Sequence, residues 1–475
     1  MKHDMITLVG VLAAIMLASC TFYKARTDIA PPVDVPDSYT QEMGTTELAD
    51  PWWKAFEDKQ LNSLIEKVLV SNLSIQQAWA RLDQAEASAG KAASGRYPQI
   101  GLDASTKRSR VYVSNAQTST IDPVHTRQHS ISLAASYEVD LWGRVSSLDK
   151  AARIDLEAVR MDLDTMAMSM SAQVAQTWFS LIEQKSQLDL ARRQLDAGST
   201  QLDLVELRFS RGLASALDVY QQRLQLSGIS AQIPLIEARI SLLAHQLNIL
   251  LGRPPAAAID NIPESLPEIW PRPAVGIPAD LVRKRPDVQA ARMRVEAADQ
   301  RVASAVSDRF PKISISGSRG YGAESFADLF DRMIWSITGS LAATIYDGKA
   351  KSFEVKRSRA VVEERLSAYG EVVLKAVTEV EDALVQEERQ KEYVERLEEQ
   401  LGLAHDTLSE ARRAYINGLG DYLAVLSAMN ALQQTQRELL SARYQLISYR
   451  IQLCRSLGGT WDRQRGTSEK SGEMS

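Results

Sequence analysis

Histidine pairs, glycine-rich stretches and neighbouring acids are the features of this sequence from which a catalytic or metal site could be built. His125 and His129 are four positions apart, a spacing that lets two imidazoles share a metal ion on one helix. The alternating pattern there predicts a turn and a strand instead, so we interpret both as solvent-exposed. The glycines of 317–322 follow a predicted strand without opening a helix, and Glu363 and Glu364 belong to an exposed helix face. We therefore predict no enzyme activity, no metal and no cofactor.

Cys20 is the residue whose surroundings predict a covalent modification. Lys2 precedes an apolar run, and small residues then lead to the cysteine in the sequence LASC. This order is typical of a secretory signal and resembles the lipobox of bacterial lipoproteins. We predict a lipoprotein signal peptide over 1–19, a covalent N-terminal lipid on Cys20, and an extended segment over 20–50. An ordinary signal peptide with an incidental cysteine is the alternative. Thr21 follows the cysteine at the position where, in enteric sorting, an aspartate would favour retention in the inner membrane. By that analogy we predict that the protein is sorted to the outer membrane.

Charge and hydropathy exclude several classes of partner. The chain has 475 residues with 55 basic and 60 acidic side chains, giving a formal net charge of -5. It therefore offers no polycationic surface for nucleic acid, and its aromatic content of 6% argues against base stacking. After residue 20 no apolar run reaches the roughly 18 residues that a transmembrane helix needs. Any insertion into a membrane must therefore use strands.

The second half of the chain repeats the first. RYPQIGLDAS at 96–105 returns as RFPKISISGS at 309–318, and SRGLASALDVY returns as INGLGDYLAVL, which aligns Gly212 with Gly418. Seven prolines between 254 and 278 exclude a regular helix there. The sequence predicts repeat 1 at 51–252, a proline-rich linker at 253–280, repeat 2 at 281–459 and a polar tail at 460–475.

Each repeat contains an amphipathic strand. Apolar residues take the odd positions from Ile131 to Leu141, with serines and acids between them, and the same phase returns from Met333 to Ile345. Weaker partner strands lie upstream, which predicts strand hairpins at about 97–141 and 310–346. Each strand has about the 9–11 residues that cross a bilayer. A hairpin lying on a soluble core fits the alternation equally well.

Long helices follow each strand hairpin. From 144 to 211 there is no proline and only one glycine, and apolar residues recur every seven positions. The second repeat keeps this phase and is interrupted only by Glu387. Such a repeat predicts supercoiled helix packing. Gly212 and Gly418 are the expected helix terminators, after which a second helix returns. The helical hairpins are predicted at 144–251 and 349–457.

The number of strands predicts an oligomer. The smallest transmembrane barrels have about eight strands, so the four strands of one chain cannot close one. An open sheet would leave unpaired edges, which hydrocarbon does not tolerate. If these strands lie in a membrane, several chains must share one barrel.

Five stretches carry a family resemblance. In chain order they are PWWKAFEDKQLNSLIEKVLVSNLSIQQAWARLDQAEA from Pro51, SYEVDLWGR from Ser136, RKRPDVQAARMRVEAADQRV from Arg283, WSITGSLAATIYDGK from Trp335 and NGLGDYLAVLSAMNALQQTQREL from Asn417. Their order and spacing resemble the TolC-like outer-membrane efflux factors, in the OprM-type (NodT-like) lipoprotein branch. The resemblance covers nearly all of the mature chain.

The resemblance implies a mostly α-helical chain with a small β part. It implies a homotrimer in which each chain gives four strands to a shared 12-stranded transmembrane barrel, with antiparallel coiled helices forming an α-barrel tunnel in the periplasm. The implied partners are a periplasmic adaptor (membrane fusion) protein, an inner-membrane pump and outer-membrane lipid. Small molecules such as drugs, toxic compounds or metals would pass passively through the tunnel from the periplasm or the pump to the exterior. A duct for type I protein secretion and a non-pore coiled-coil periplasmic scaffold are the alternatives.

The resemblance also implies sites. The residues expected to face lipid are Ile131, Leu133, Tyr137, Val139, Leu141, Trp335, Ile337, Leu341 and Ile345. The helical turns would form the periplasmic tips and contact the adaptor through Gly212, Leu213, Leu217, Gly418, Leu419, Tyr422 and Leu423. Asp421, Asp218 and the neighbouring Gly420 are gate candidates, because like charges from three chains would meet at the axis. Capping of helix N-termini explains both aspartates equally well.

Overall fold

A computed structural model describes residues 23–26, 29–40, 51–115 and 120–458. For 113–115 and 120–122 it describes the backbone alone. The predicted signal peptide, Cys20 and the polar tail lie outside the described residues. The elements, in chain order, are a short 3-10 helix Trp52–Phe56, α1 Lys59–Ser71, α2 Leu73–Ser94, β1 Gln99–Asn115, β2 Thr120–Val139, α3 Arg144–Ser210, α4 Ala216–Leu250, α5 Pro278–Lys284, α6 Pro286–Ser307, β3 Lys312–Ala323, β4 Met333–Ala342, α7 Ala350–Ile416 and α8 Tyr422–Ser456. The prediction of a mostly helical chain with a small strand part is confirmed.

The helical hairpins are duplicated in length as well as in sequence. Helices α3 and α7 each have 67 residues, and α4 and α8 each have 35. Helix α4 contains Pro234, whereas α8 contains no proline. The proline-rich linker between the repeats has no long helix, and its last residues, from Pro278, begin the short helix α5.

The four strands form one antiparallel sheet in the order β1-β2-β3-β4. Strands β1 and β2 have 17 and 20 residues, so the expected strand length of 9–11 residues is wrong for the first hairpin. Most of the additional residues are polar, and a hairpin in water needs no apolar alternation to keep its backbone hydrogen bonds. Only the part of β2 from His129 to Val139 also pairs with β3.

The chain divides into two compact units that do not coincide with the two repeats. Of the described residues, one unit contains 23–26, 29–32, 83–115, 120–159 and 291–369, and it holds the sheet. The other contains 33–40, 51–82, 160–290 and 370–458. Each unit thus combines parts of both repeats, because α3 and α7 are long enough to contribute to both.

An aromatic cluster forms the core of the second unit. The Phe56 ring lies 4.8 Å from that of Phe179 and 4.5 Å from that of Trp270. Trp178 is fully buried and donates its indole N–H to Asp58 at 2.8 Å. Asp58 also accepts hydrogen bonds from the first amides of α1. Asp58 thereby connects the capped end of α1 to the side of α3.

Gly320 marks a close approach of β3 to β2. A Cβ at this position would contact the carbonyl oxygen of Ile131 and lie 2.6 Å from the Cβ of Ser132. We expect Gly320→Ala to lower the free energy of unfolding by about 1–3 kcal/mol, because backbone must move. Gly322→Ala is the control, since its nearest new contact would be at 3.7 Å. Equal thermal unfolding midpoints for the two variants would contradict the prediction.

Candidate functional site

One face of the sheet is apolar across all four strands except at Arg319, whose Nε donates to the Met333 sulfur at 3.1 Å. In an antiparallel sheet, directly paired residues project to the same side. The register pairs Leu102 with Leu133, Leu133 with Arg319, and Arg319 with Trp335. The same face carries Ile100, Ala104, Ile131, Ala135, Tyr137, Val139, Ile313, Ile315, Tyr321, Met333, Ile337 and Leu341. In the single chain Ile337 is 74% exposed and Leu341 70%, so this apolar surface has no partner within the described residues.

The opposite face is lined mainly by serine. Ser105 and Ser130 lie 2.9 Å apart through their hydroxyl oxygens, Ser314 and Ser340 2.6 Å, and Ser318 and Ser336 2.9 Å. Because these hydroxyl pairs cross from strand to strand, the polar face is as continuous as the apolar one. The sheet therefore suits a boundary between an apolar medium and water.

Two of the residues expected to face lipid lie outside the strands. Strand β2 ends at Val139, so Leu141 lies in the turn before α3, and β4 ends before Ile345. Strand β2 ends before Leu141 because Asp140 accepts hydrogen bonds from the amides of Val145 and Ser146, which start helix α3. Burial raises the pKa of Asp140, but these amide bonds outweigh it, and the pKa is lowered from its ordinary value.

The turn of the first helical hairpin is closed by glycine and by a capping box. Gly212 has φ +73°, and the amide of Leu213 donates to the carbonyl of Arg208 at 2.8 Å. The Asp218 amide then donates to the Ser215 hydroxyl at 3.2 Å, and the Ser215 amide to the Asp218 carboxylate at 2.9 Å. Asp218 is half-buried and holds the start of α4.

The second turn has the same form. Gly418 has φ +72°, and the Leu419 amide donates to the carbonyl of Ala414 at 2.8 Å. Asp421 accepts a hydrogen bond from the Ala424 amide at 3.1 Å and caps α8. A Cβ at Gly420 would lie 3.4 Å from the Cβ of Ala414, which is an ordinary van der Waals contact. Asp421 is therefore the N-cap of α8 and is exposed to solvent, whereas Asp218 supports the Ser215 cap of α4 through the capping box.

Four leucines at the two tips are exposed in the single chain. Leu213 is 62% exposed, Leu217 63%, Leu419 83% and Leu423 55%. Apolar side chains that remain in water at the end of a helical hairpin are typical of an interaction surface. The two tips therefore expose leucines at equivalent positions of the two repeats.

Tyr422 does not belong to that surface, which corrects the expectation that it contacts the adaptor. It is 2% exposed, and its hydroxyl donates to Gln222 Oε1 at 2.6 Å. The Gln222 amide in turn donates to the carbonyl of Gly198 at 2.7 Å. Burial raises the pKa of Tyr422 to about 12. The apolar cluster around it joins both helical hairpins and consists of Val205, Val219, Leu408, Tyr415, Val425, Ala428 and Met429.

A buried ion pair joins α7 to α8 in the second unit. Arg450 contacts both carboxylate oxygens of Glu387, at 2.7 and 3.1 Å, and the two side chains are each 5% exposed. Arg450 also donates to the carbonyl of Trp270 at 2.6 Å, and Arg272 lies 3.3 Å from Glu387. Sequence reasoning missed this site, although the interruption of the heptads at Glu387 is the signal that could have found it.

Candidate chemistry is sparse in the part of the chain that the structure describes. No group of histidine, cysteine or acidic residues there is arranged to hold a metal ion. His129 lies within strand β2 and is 3.0 Å from the Thr106 hydroxyl, and His125 lies opposite Arg110. None of the helices within the described ranges combines the length and the apolar character that crossing a membrane requires.

Comparison with known proteins places the chain in a family. The family model "Outer membrane efflux protein" matches residues 64–253 and 277–459. The pyoverdine export outer membrane protein OpmQ of Pseudomonas putida is 31% identical over 420 residues, covering 86% of this chain and 88% of the relative. Outer membrane protein OprJ of Pseudomonas aeruginosa is 27% identical, with 96% of each chain covered.

Solved structures agree with this relationship. The outer-membrane channel OprN superimposes with a TM-score of 0.83 at 26% identity, covering 92% of this chain and 98% of that one. The sequence resemblance to the TolC-like efflux factors is thus confirmed. The chain belongs to the outer membrane efflux protein family and is an outer-membrane component of an efflux system.

Proposed function

We propose that the chain forms one third of a passive duct for small molecules, with three copies sharing a 12-stranded barrel. The observation that supports this most strongly is the amphipathic sheet. Its two outer strands, β1 and β4, each have one edge without a partner strand among the described residues. Three such sheets joined edge to edge would pair every edge, enclose the serine face around water and turn the apolar face to lipid.

The helical part extends the duct into the periplasm. The long hairpins α3–α4 and α7–α8 carry their capped turns at the end remote in sequence from the strands. Leu213, Leu217, Leu419 and Leu423 form the contact surface for a periplasmic adaptor, which connects the duct to an inner-membrane pump. Asp218 and Asp421 narrow the channel with three-fold rings of negative charge.

The substrate class follows from a relative. OpmQ is named for export of pyoverdine, which is a small molecule rather than a protein. Selectivity among drugs, toxic compounds and metals is assigned in this proposal to the pump. We assign the chain to small-molecule efflux.

A lipid on Cys20 anchors the mature N-terminus. The N-terminal segment is attached at Asp299 of α6, which accepts hydrogen bonds from the Tyr23 hydroxyl and, at 2.6 Å, from the Arg26 amide. Farther along, Thr40 donates to Glu381 at 3.0 Å through its amide. The chain is therefore fixed within a few residues of the predicted lipid attachment, as a short anchor requires. The intact mass of the purified mature chain, with or without acyl groups, tests this assignment.

Thiol accessibility tests the barrel. Single cysteines at 130–139 of β2 and 333–341 of β4 are introduced into the full-length chain and treated with water-soluble or lipid-soluble reagents. We expect odd positions to react from lipid and even positions from water. The native Cys454 gives little background, because it is fully buried and burial raises the pKa of its thiol to about 12. Uniform labelling, or a single-chain mass in detergent, would overturn the proposed duct.

A further inference from the structure

The first strand hairpin continues beyond the apolar part of the sheet and becomes cationic. The last row that includes β3 pairs His129 with Ala323. On the same face of the hairpin, the next row outward pairs Arg108 with Arg127, and the row after it pairs Arg110 with His125. These arginines are exposed and share the face of Leu102 and Leu133, since the register is unbroken. The apolar face thus gives way to three arginines.

Nothing in the described part of the chain neutralises these charges. Among the described residues, no carboxylate forms an ion pair with Arg108, Arg110 or Arg127. The guanidinium of Arg110 lies 5.1 Å from the centroid of the Tyr112 ring, a contact that leaves its charge in place. Like charges directly opposite each other destabilise a strand pair. An anion bound between the strands would remove this repulsion.

The position of the arginines corresponds to a membrane surface. From Val139 to Arg127 the strand rises about 3.4 Å per residue, which is about 30 Å along the membrane normal at the usual tilt of roughly 40°. The apolar band of such barrels is about 25 Å tall. Since α3 begins immediately after β2, the helices leave from the opposite end of the strand. The arginines would therefore lie at the level of the headgroups on the outer side.

We propose that Arg108, Arg110 and Arg127 form a binding site for the phosphate groups of anionic lipid headgroups in the outer leaflet. Guanidinium groups match phosphate oxygens in bidentate geometry, and three on adjacent rows can hold more than one phosphate. Because the three arginines lie on the lipid-facing side of the hairpin, they do not line the lumen. Lys107 is the basic residue of this segment on the lumen-facing side. This inference rests on the proposed duct, because the barrel sets which side of the sheet meets lipid.

Binding of a phosphorylated glycolipid tests the site. The full-length protein, in bilayer discs of zwitterionic lipid, is titrated with lipopolysaccharide and with its dephosphorylated form. The test variant carries Arg108→Gln, Arg110→Gln and Arg127→Gln. The control carries Arg357→Gln, Arg389→Gln and Arg396→Gln, which remove the same charge from exposed helix positions.

We expect the test variant to lose affinity for the phosphorylated glycolipid by on the order of a hundredfold, and the control to change by less than about twofold. The wild type should bind the dephosphorylated form as weakly as the test variant binds the intact one. Inorganic phosphate should not compete at matched concentration. Full competition by phosphate would show a site for free anions, and unchanged binding by the test variant would overturn the proposal.

A conductance measurement separates this inference from the proposed duct. In planar bilayers of zwitterionic lipid the test variant should conduct like the wild type, because the arginines lie outside the lumen. If neither protein forms pores, the proposed duct fails and the lipid site loses its basis. If both form pores while glycolipid binding is unaffected by the substitutions, only the lipid site is wrong.

Discussion

Glu387→Ala is expected to lower the free energy of unfolding by about 3–5 kcal/mol. The substitution leaves the buried guanidinium of Arg450 without its bidentate carboxylate partner, and the side chain is 5% exposed, so water cannot replace that partner. The loss is therefore mainly the cost of an uncompensated buried charge rather than the strength of the ion pair itself. Denaturant titration of the detergent-solubilised protein measures it.

Two variants show whether this explanation is correct. Glu388→Ala removes a neighbouring carboxylate that is half-exposed and pairs with Arg272, so its effect should stay below about 1 kcal/mol. Replacing both partners, Glu387→Leu with Arg450→Met, removes the charges together and should recover most of the stability. A double variant as unstable as Glu387→Ala would mean that packing, and not charge, dominates at this position.

Removing the carboxylates of the tips is expected to raise single-channel conductance. In the proposed trimer Asp421→Ala or Asp218→Ala deletes a ring of negative charges from the narrow end of the duct, which also lowers its preference for cations. Asp421→Ala additionally removes the N-cap of α8, and Asp218→Ala removes one of the two hydrogen bonds of the capping box of α4, each at a cost of about 1 kcal/mol or less in stability. Recordings in planar bilayers, with the reversal potential measured across a salt gradient, report both properties. Unchanged conductance in both variants would dismiss the gate.

Asparagine variants separate gating from capping. Asp421→Asn retains an oxygen that can accept from the Ala424 amide, 3.1 Å away in the wild type, while the charge is lost. Asp218→Asn does the same for the capping box with Ser215. If charge controls the opening, asparagine and alanine should raise conductance alike. An increase with alanine alone would instead show that loosening of the turn opens the channel.

Much of the helical architecture could be predicted because its signals are local. The αL glycines at 212 and 418 fix where the long helices stop, and Ser215 and Asp421 cap the returning helices. The internal repeat then allows each element to be checked against its copy. The alternation of apolar and serine positions likewise predicts which residues share a face of the sheet, because strand pairing preserves that periodicity.

The remaining features depend on contacts between distant parts of the chain. The polar extension of the first hairpin, including Arg108 and Arg127, has no apolar period and is held by backbone pairing. Tyr422 is buried because α3, α4 and α7 supply apolar neighbours, which its position beside an exposed turn does not indicate. Glu387 interrupts a heptad pattern, and only the approach of Arg450 from another helix explains that interruption.

Pro234 makes the two repeats mechanically unequal. It has no amide hydrogen to donate to the carbonyl of Ser230, and a proline inside a helix favours a bend. Leu440 stands at the equivalent position of the second repeat, within a helix that has no proline. In a ring of three chains, compliant and stiff hairpins would therefore alternate. Opening of the helical tunnel in the proposed trimer would therefore follow threefold symmetry. If the two hairpins of each chain were mechanically identical, the six hairpins would instead open with approximate sixfold symmetry.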